Sequence, residues 1–109
     1  MEEDYSYYFD LDTSPSGDDV FVLIIYDIEE NKKRVKLSKY LEGYGFRVQK
    51  SAFEAVIPRA KYQKMLKELP AYINKGDNDS IRIYKIIGKG QVTILGVDED
   101  HSVDDVIVI

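Results

Sequence analysis

The sequence predicts an α+β fold, a ferredoxin-like βαββαβ sandwich with an extra C-terminal strand, assembled as a homodimer. Three observations point there. The run Val20-Phe21-Val22-Leu23-Ile24-Ile25-Tyr26 is apolar throughout and rich in β-branched residues, without alternation, so both faces are covered, as in a central strand. Two later stretches repeat apolar residues at helical spacing. The segments between and after them are extended, giving the order strand, helix, extended segment, helix, strand, strand. Splitting the middle extended segment in two yields βαββαβ. Both helices then lie on one sheet face, and the other face must be polar or covered, which in a small domain favours joining a second copy through the sheet. A chain of 109 residues fits one domain with a thin core.

Residues 1–19 read as an acidic, flexible extension, with Pro15-Ser16-Gly17 as a break. Tyr5, Tyr7, Tyr8 and Phe9 stand out within it; such residues dock on a partner or add an edge strand. The ferredoxin-like domain spans 20–97. Its first strand ends at Asp27, a carboxylate where a buried strand emerges. Asn31 is the candidate cap of the first helix, with Glu29 and Glu30 at the positive end of its dipole. Leu37, Leu41 and Tyr44 form the buried stripe, with Tyr40 beside them, and Lys32, Lys36 and Lys39 the opposite face. Gly43 and Gly45 end that helix by taking the left-handed conformation.

Phe46 to Ile57 reads as one strand, bent near Gln49-Lys50-Ser51, since no Gly or Asn marks a turn inside it. Pro58 suits a first helical position. Tyr62, Met65, Leu66, Leu69 and Ile73 make the second helical stripe, and Pro70 stops or kinks the helix. Ser80 to Ile86 alternates as a half-buried strand does. Gly88-Lys89-Gly90 reads as a turn and Gln91 to Leu95 as the returning strand of a hairpin. Residues 98–109 form an acidic loop and a terminal strand, Val106-Ile107-Val108-Ile109, which is best paired with a sheet edge, its own or a partner subunit's.

Composition excludes several classes. There is no cysteine, hence no disulfide or thiolate-metal site. No apolar run approaches the ~20 residues that span a bilayer. Met1-Glu2-Glu3-Asp4 lacks the features of a secretory signal, so a cytoplasmic protein is expected. The net charge of −5 hides a segregation: all 15 Lys and Arg lie in residues 20–97 with eight acids, so that part carries +7 between acidic ends. Such a body suits phosphate groups, and equally a solvated surface with solubilising tails.

The candidate chemistry rests on few residues. Lys32, Lys33, Arg34, Lys36 and Lys39 cluster at the start of the first helix, with Arg47, Lys50 and Arg59 following. Such cations neutralise phosphates and release counterions without reading sequence. His101, the only histidine, lies in the acidic loop and supplies no evident base. Gly88-Lys89-Gly90-Gln91 lacks the spacing of a phosphate loop.

Three segments, in order, carry a family likeness: Ile25-Tyr26-Asp27-Ile28 after the apolar strand, Gly43-Tyr44-Gly45-Phe46-Arg47-Val48-Gln49-Lys50-Ser51-Ala52-Phe53-Glu54, and Ser80-Ile81-Arg82-Ile83-Tyr84. Together they resemble the CRISPR-associated protein 2 family over about residues 20–95. The resemblance implies a homodimer that holds duplex DNA (a prespacer) and bridges CRISPR-associated protein 1, which performs the integration chemistry of spacer acquisition. The alternative is a divalent-metal-dependent endonuclease for RNA or DNA centred on Asp27. There Asp27 of each copy would sit near the two-fold axis, and Mg or Mn would relieve the repulsion between the two carboxylates. Tyr26, Ser51 and Phe53 would shape that site. Read without the family, Asp27 ends a strand or caps a helix, and a metabolite-binding regulatory module or a toxin ribonuclease of related fold remain open.

Overall fold

The computed structural model describes residues 4–11 and 18–96. The acidic loop, His101 and the segment Val106 to Ile109 lie outside the described residues. Six strands and two α-helices are present among those described: β1 (Tyr5–Asp10), β2 (Asp19–Asp27), α1 (Asn31–Glu42), β3 (Phe46–Gln49), β4 (Ala52–Pro58), α2 (Arg59–Glu68), β5 (Ser80–Ile86) and β6 (Lys89–Ile94). Four strands form an antiparallel sheet in the order β3-β4-β2-β5, the ferredoxin-like arrangement. The apolar run of β2 is its centre, with β4 on one side and β5 on the other.

Alternate residues of β2 take the two faces. Val20, Val22, Ile24 and Tyr26 join Leu37 and Leu41 of α1, Tyr62 and Met65 of α2, and Phe53 of β4 in the main core. Burying each of these large side chains is worth about 1.5–3 kcal/mol. On the opposite face, Phe21 packs with Phe9 and Leu11, and Leu23, Val56 and Val92 pack against them. A ribbon of β1 and β6 therefore forms a third layer, over the sheet face away from the helices.

This ribbon departs from the hairpin expected of residues 80–95. Among the described residues β6 pairs with β1, from Tyr5↔Ile94 to Asp10↔Lys89, and not with β5. Gly88 takes a φ of +88°, which β-branched and bulky residues avoid, and there the chain turns off the sheet. The aromatic cluster of the N-terminal extension supplies the pairing strand. Tyr5–Asp10 is thus ordered as an edge strand, not a loose tail, because Tyr7, Phe9 and Leu11 are buried.

Smaller differences share a physical cause. The segment from Phe46 splits into β3 and β4 around Lys50-Ser51, with a register irregularity between Arg47 and Gln49. Neither turn residue has a positive φ, so the glycine or asparagine that marks a primed hairpin is not required. Glu30, not Asn31, occupies the cap position of α1, and its side chain makes no capping bond. Gly43 closes α1 in right-handed geometry, φ −73°. Gly45 is needed for a different reason: a Cβ there would lie 2.0 Å from the Glu54 carbonyl oxygen. Pro58 precedes α2 as its cap, and Pro70 sits in a short 3₁₀ turn, Leu69–Tyr72, that ends the regular helix.

Candidate nucleic-acid interface

The end of β2, the groove-side face of α1 and the β3–β4 turn enclose an open groove of about 1040 Å³. β2 brings Tyr26 and Asp27 to it, α1 brings Arg34, Val35, Ser38 and Lys39, and the turn region brings Arg47, Lys50 and Ser51. Asp27 is exposed at the last position of β2, in register with Ser80 of β5. A buried central strand thus delivers one carboxylate to the rim of a groove whose lining holds four cationic side chains and the further carboxylates Glu29 and Glu42.

The floor is held by Tyr26. Its backbone N–H donates to the Ser51 carbonyl at 3.0 Å and its hydroxyl to the Lys50 carbonyl at 3.3 Å, fixing the β3–β4 turn against β2. Its ring stacks on Phe53 with centroids 6.4 Å apart. Burial pushes the Tyr26 phenol up; a hydrogen bond with Ser38 and the charges of Arg47 and Arg34 oppose that rise. Tyr26 therefore stays a neutral donor across the physiological range. Phe53 lies in the core beneath the groove and supports Tyr26 without lining the surface.

Of the basic residues singled out in the sequence, Arg34, Lys39, Arg47 and Lys50 line the same groove as Asp27. Arg34 also ties the β2–α1 connection: Nη1 donates to the carbonyls of Ile28 at 2.8 Å and Glu29 at 3.0 Å, and Nη2 donates to Asn31 Oδ1 at 2.9 Å. Lys32 and Lys36 are exposed on α1 outside this groove. Lys33 is held elsewhere, its ammonium donating to Asp79 Oδ2 at 2.7 Å and Asp77 Oδ2 at 2.9 Å. Those bonds raise the Lys33 ammonium above its ordinary value. Lys33 and the Asn74 backbone N–H hold the Asp79 carboxyl below the usual carboxylate range. Arg59 pairs with Asp18 at 3.2 Å, at the far end of the β2–β4 ladder from Ala52, about 20 Å along the strand from the groove.

Ser38, Val35 and Glu42 also line the groove and escape the sequence reading. Their signal is a second helical stripe on α1, Arg34, Val35, Ser38, Lys39 and Glu42, at the spacing of one helix face. Among the described residues no group of three or more His, Cys, Asp or Glu is close enough to cage a metal. The exposed carboxylates of Asp27, Glu29 and Glu42 in the groove lining form no such cage and suit only an ion that keeps most of its ligands as water and phosphate oxygen, as magnesium does.

Fold and groove together define a small ferredoxin-like protein with an open, charged cleft that includes a strand-end aspartate. The model of the family described as CRISPR associated protein Cas2 matches residues 20–94. The "CRISPR-associated endoribonuclease Cas2" of Mycobacterium tuberculosis is 46% identical over 77 residues, covering 71% of this chain and 66% of that protein. The "CRISPR-associated endonuclease Cas2 2" of Thermus thermophilus is 36% identical over 74 residues, covering 68% and 79% of the two chains. The crystal structure of Streptococcus pyogenes Cas2 superposes with a TM-score of 0.54 at 32% identity, covering 59% of this chain and 82% of that one. The chain belongs to the CRISPR associated protein Cas2 family. It spans just under two thirds of the length of the M. tuberculosis relative, and its β1 lies outside the matched residues.

Proposed function

We propose that this chain is a cytoplasmic CRISPR adaptation subunit in which two copies hold duplex DNA and bridge CRISPR-associated protein 1 during spacer acquisition. The observation that carries the reading is the convergence of Arg34, Lys39, Arg47 and Lys50 on one groove. Phosphodiester oxygens pair with such side chains and displace condensed counterions, which gives affinity without sequence preference. The hydroxyls of Ser38 and Ser51 add neutral donors beside the cations. Joining of two copies doubles the groove, and the sheet residues Ile25, Tyr84 and Ile86, 39–44% exposed, offer apolar surface for it. Among the described residues no helix is long and apolar enough to cross a membrane.

A second reading, a metal-dependent endonuclease for RNA or DNA, is supported at least as well by the names of the relatives. Asp27 of each copy would then hold Mg or Mn together with water and phosphate oxygen. The ion would supply charge neutralisation and a more acidic bound water. Within one chain, Asp27 lines the groove from the end of β2, and Tyr26 keeps the turn beside it in place.

One pair of proteins tests both readings: the full chain and Asp27→Asn, each with magnesium or manganese, on duplex DNA and on RNA. The adaptation reading expects equal duplex binding by both and cleavage by neither. Cleavage by the full chain that disappears in Asp27→Asn, with binding retained, moves the conclusion to the nuclease. Loss of binding to all nucleic acids by the unaltered chain at low salt contradicts both.

A further inference from the structure

We infer that β1 is an intramolecular strap that competes with a second copy of this chain for the outer face of the sheet. The inference rests on the reading that two copies join through that face.

The outer face is apolar where β1 covers it. Phe9 stacks on Phe21 with ring centroids 4.6 Å apart and planes 16° from parallel. Leu11, 2% exposed, closes the same cluster, with Leu23, Val56 and Val92 around it. The Tyr7 hydroxyl donates to the Glu54 carboxylate on this face, a further tie between β1 and the sheet. Without β1, this surface would face water, contiguous with the Ile25, Tyr84 and Ile86 patch that is already half-exposed. A second copy that buried the patch would meet β1 first.

β6 is built to move with β1. Among the described residues its strand partner is β1. It is bracketed by Gly88 and Gly96, with φ of +88° and +90°, and neither has an atom within 4 Å of where a Cβ would stand. The pairing is tight at one point: a Cβ on Gly90 would lie 2.6 Å from Phe9 Cζ, so the Phe9 ring seats directly on the β6 backbone. Strand β1 thus supplies both the ladder that holds β6 in its own chain and the cover on the sheet. Release of β1 frees an apolar face and an unpaired strand together, the combination that pairs with another copy. Since the family match begins at residue 20, the strap is an addition to the matched domain.

Two substitutions in the full-length chain test the strap at its contacts with the sheet. Phe9→Asp unseats the ring that stacks on Phe21, and Tyr7→Phe removes the hydroxyl that donates to Glu54. Association of each variant and of the unaltered chain is followed by sedimentation against concentration. The strap predicts that Phe9→Asp associates at least tenfold more tightly than the unaltered chain, and Tyr7→Phe by a smaller factor in the same direction. Association of both variants equal to or weaker than that of the unaltered chain, with the unaltered chain dimeric, overturns the strap and leaves the two-copy reading standing. Monomers in every form at every concentration overturn the two-copy reading and the strap with it. Should Phe9→Asp precipitate, Tyr7→Phe alone decides.

Discussion

Asp79 shows how a single side chain ties the groove to the fold. It is the buried acidic residue among those described, placed just before Ser80, which lies across the ladder from Asp27. Its bonds to Lys33 and the Asn74 amide stabilise the ionised form, so its folded pKa is lower than its unfolded one. A group of this kind adds stability above its unfolded value, near 4, and loses that contribution as the pH falls through the lower folded value. Urea unfolding followed from pH 7 down to pH 2 should therefore show a steeper acid loss for the unaltered chain than for Asp79→Asn. The variant should also be the less stable protein at pH 7, since Lys33 keeps its charge and loses the buried one of its two carboxylate partners. Parallel acid limbs would show that Asp79 is not held as described. Here the sequence misleads, since Lys33 sits in a run of cations that looks uniformly exposed. Spacing along α1 does not reveal that residues 77 and 79, more than forty positions away, claim one of them.

At the scale of elements, the β3–β4 hairpin decides whether the groove has a second wall. Gly45 admits the close pass of that hairpin by having no side chain, and a methyl group there would strike the Glu54 carbonyl and Ala55. Gly45→Ala is expected to lower stability by about 1–3 kcal/mol, measured by denaturant unfolding, and to weaken nucleic-acid binding by displacing Arg47 and Lys50. An unchanged midpoint would place the glycine's role elsewhere. Phe53→Ala, which empties the core under Tyr26, should cost about 3–5 kcal/mol. The helices, the central strand and the strand order were legible because burial imposes periods on β2, α1 and α2. The hairpin turn was less so, because Lys50 and Ser51 adopt ordinary negative φ and need no signalling residue. The partner of β6 was illegible for another reason. Nothing local distinguishes a strand that turns back on β5 from one that crosses to meet Phe9 and Tyr7, and tertiary packing makes the choice.

At the scale of the molecule, charge segregation matters more than net charge. The formal −5 would repel nucleic acid if it were spread evenly, yet the family-matched residues contain every lysine and arginine. Tertiary structure then sorts those cations. Lys33 and Arg59 pair with acids away from the groove, while Arg34, Lys39, Arg47 and Lys50 line the groove that Asp27 also lines. The sequence named this set together with neighbours that the groove leaves out, since only folding brings a helix face and a turn to one place. The most direct measurement is the salt dependence of duplex binding for the unaltered chain and for Lys39→Gln, Arg47→Gln and Lys50→Gln combined. If these side chains contact phosphates, the variant binds at least tenfold more weakly at moderate salt. Its slope of log affinity against log salt becomes shallower by roughly one for each lost contact. Coincident affinities and slopes for the two proteins would show that the backbone of the nucleic acid does not lie in this groove.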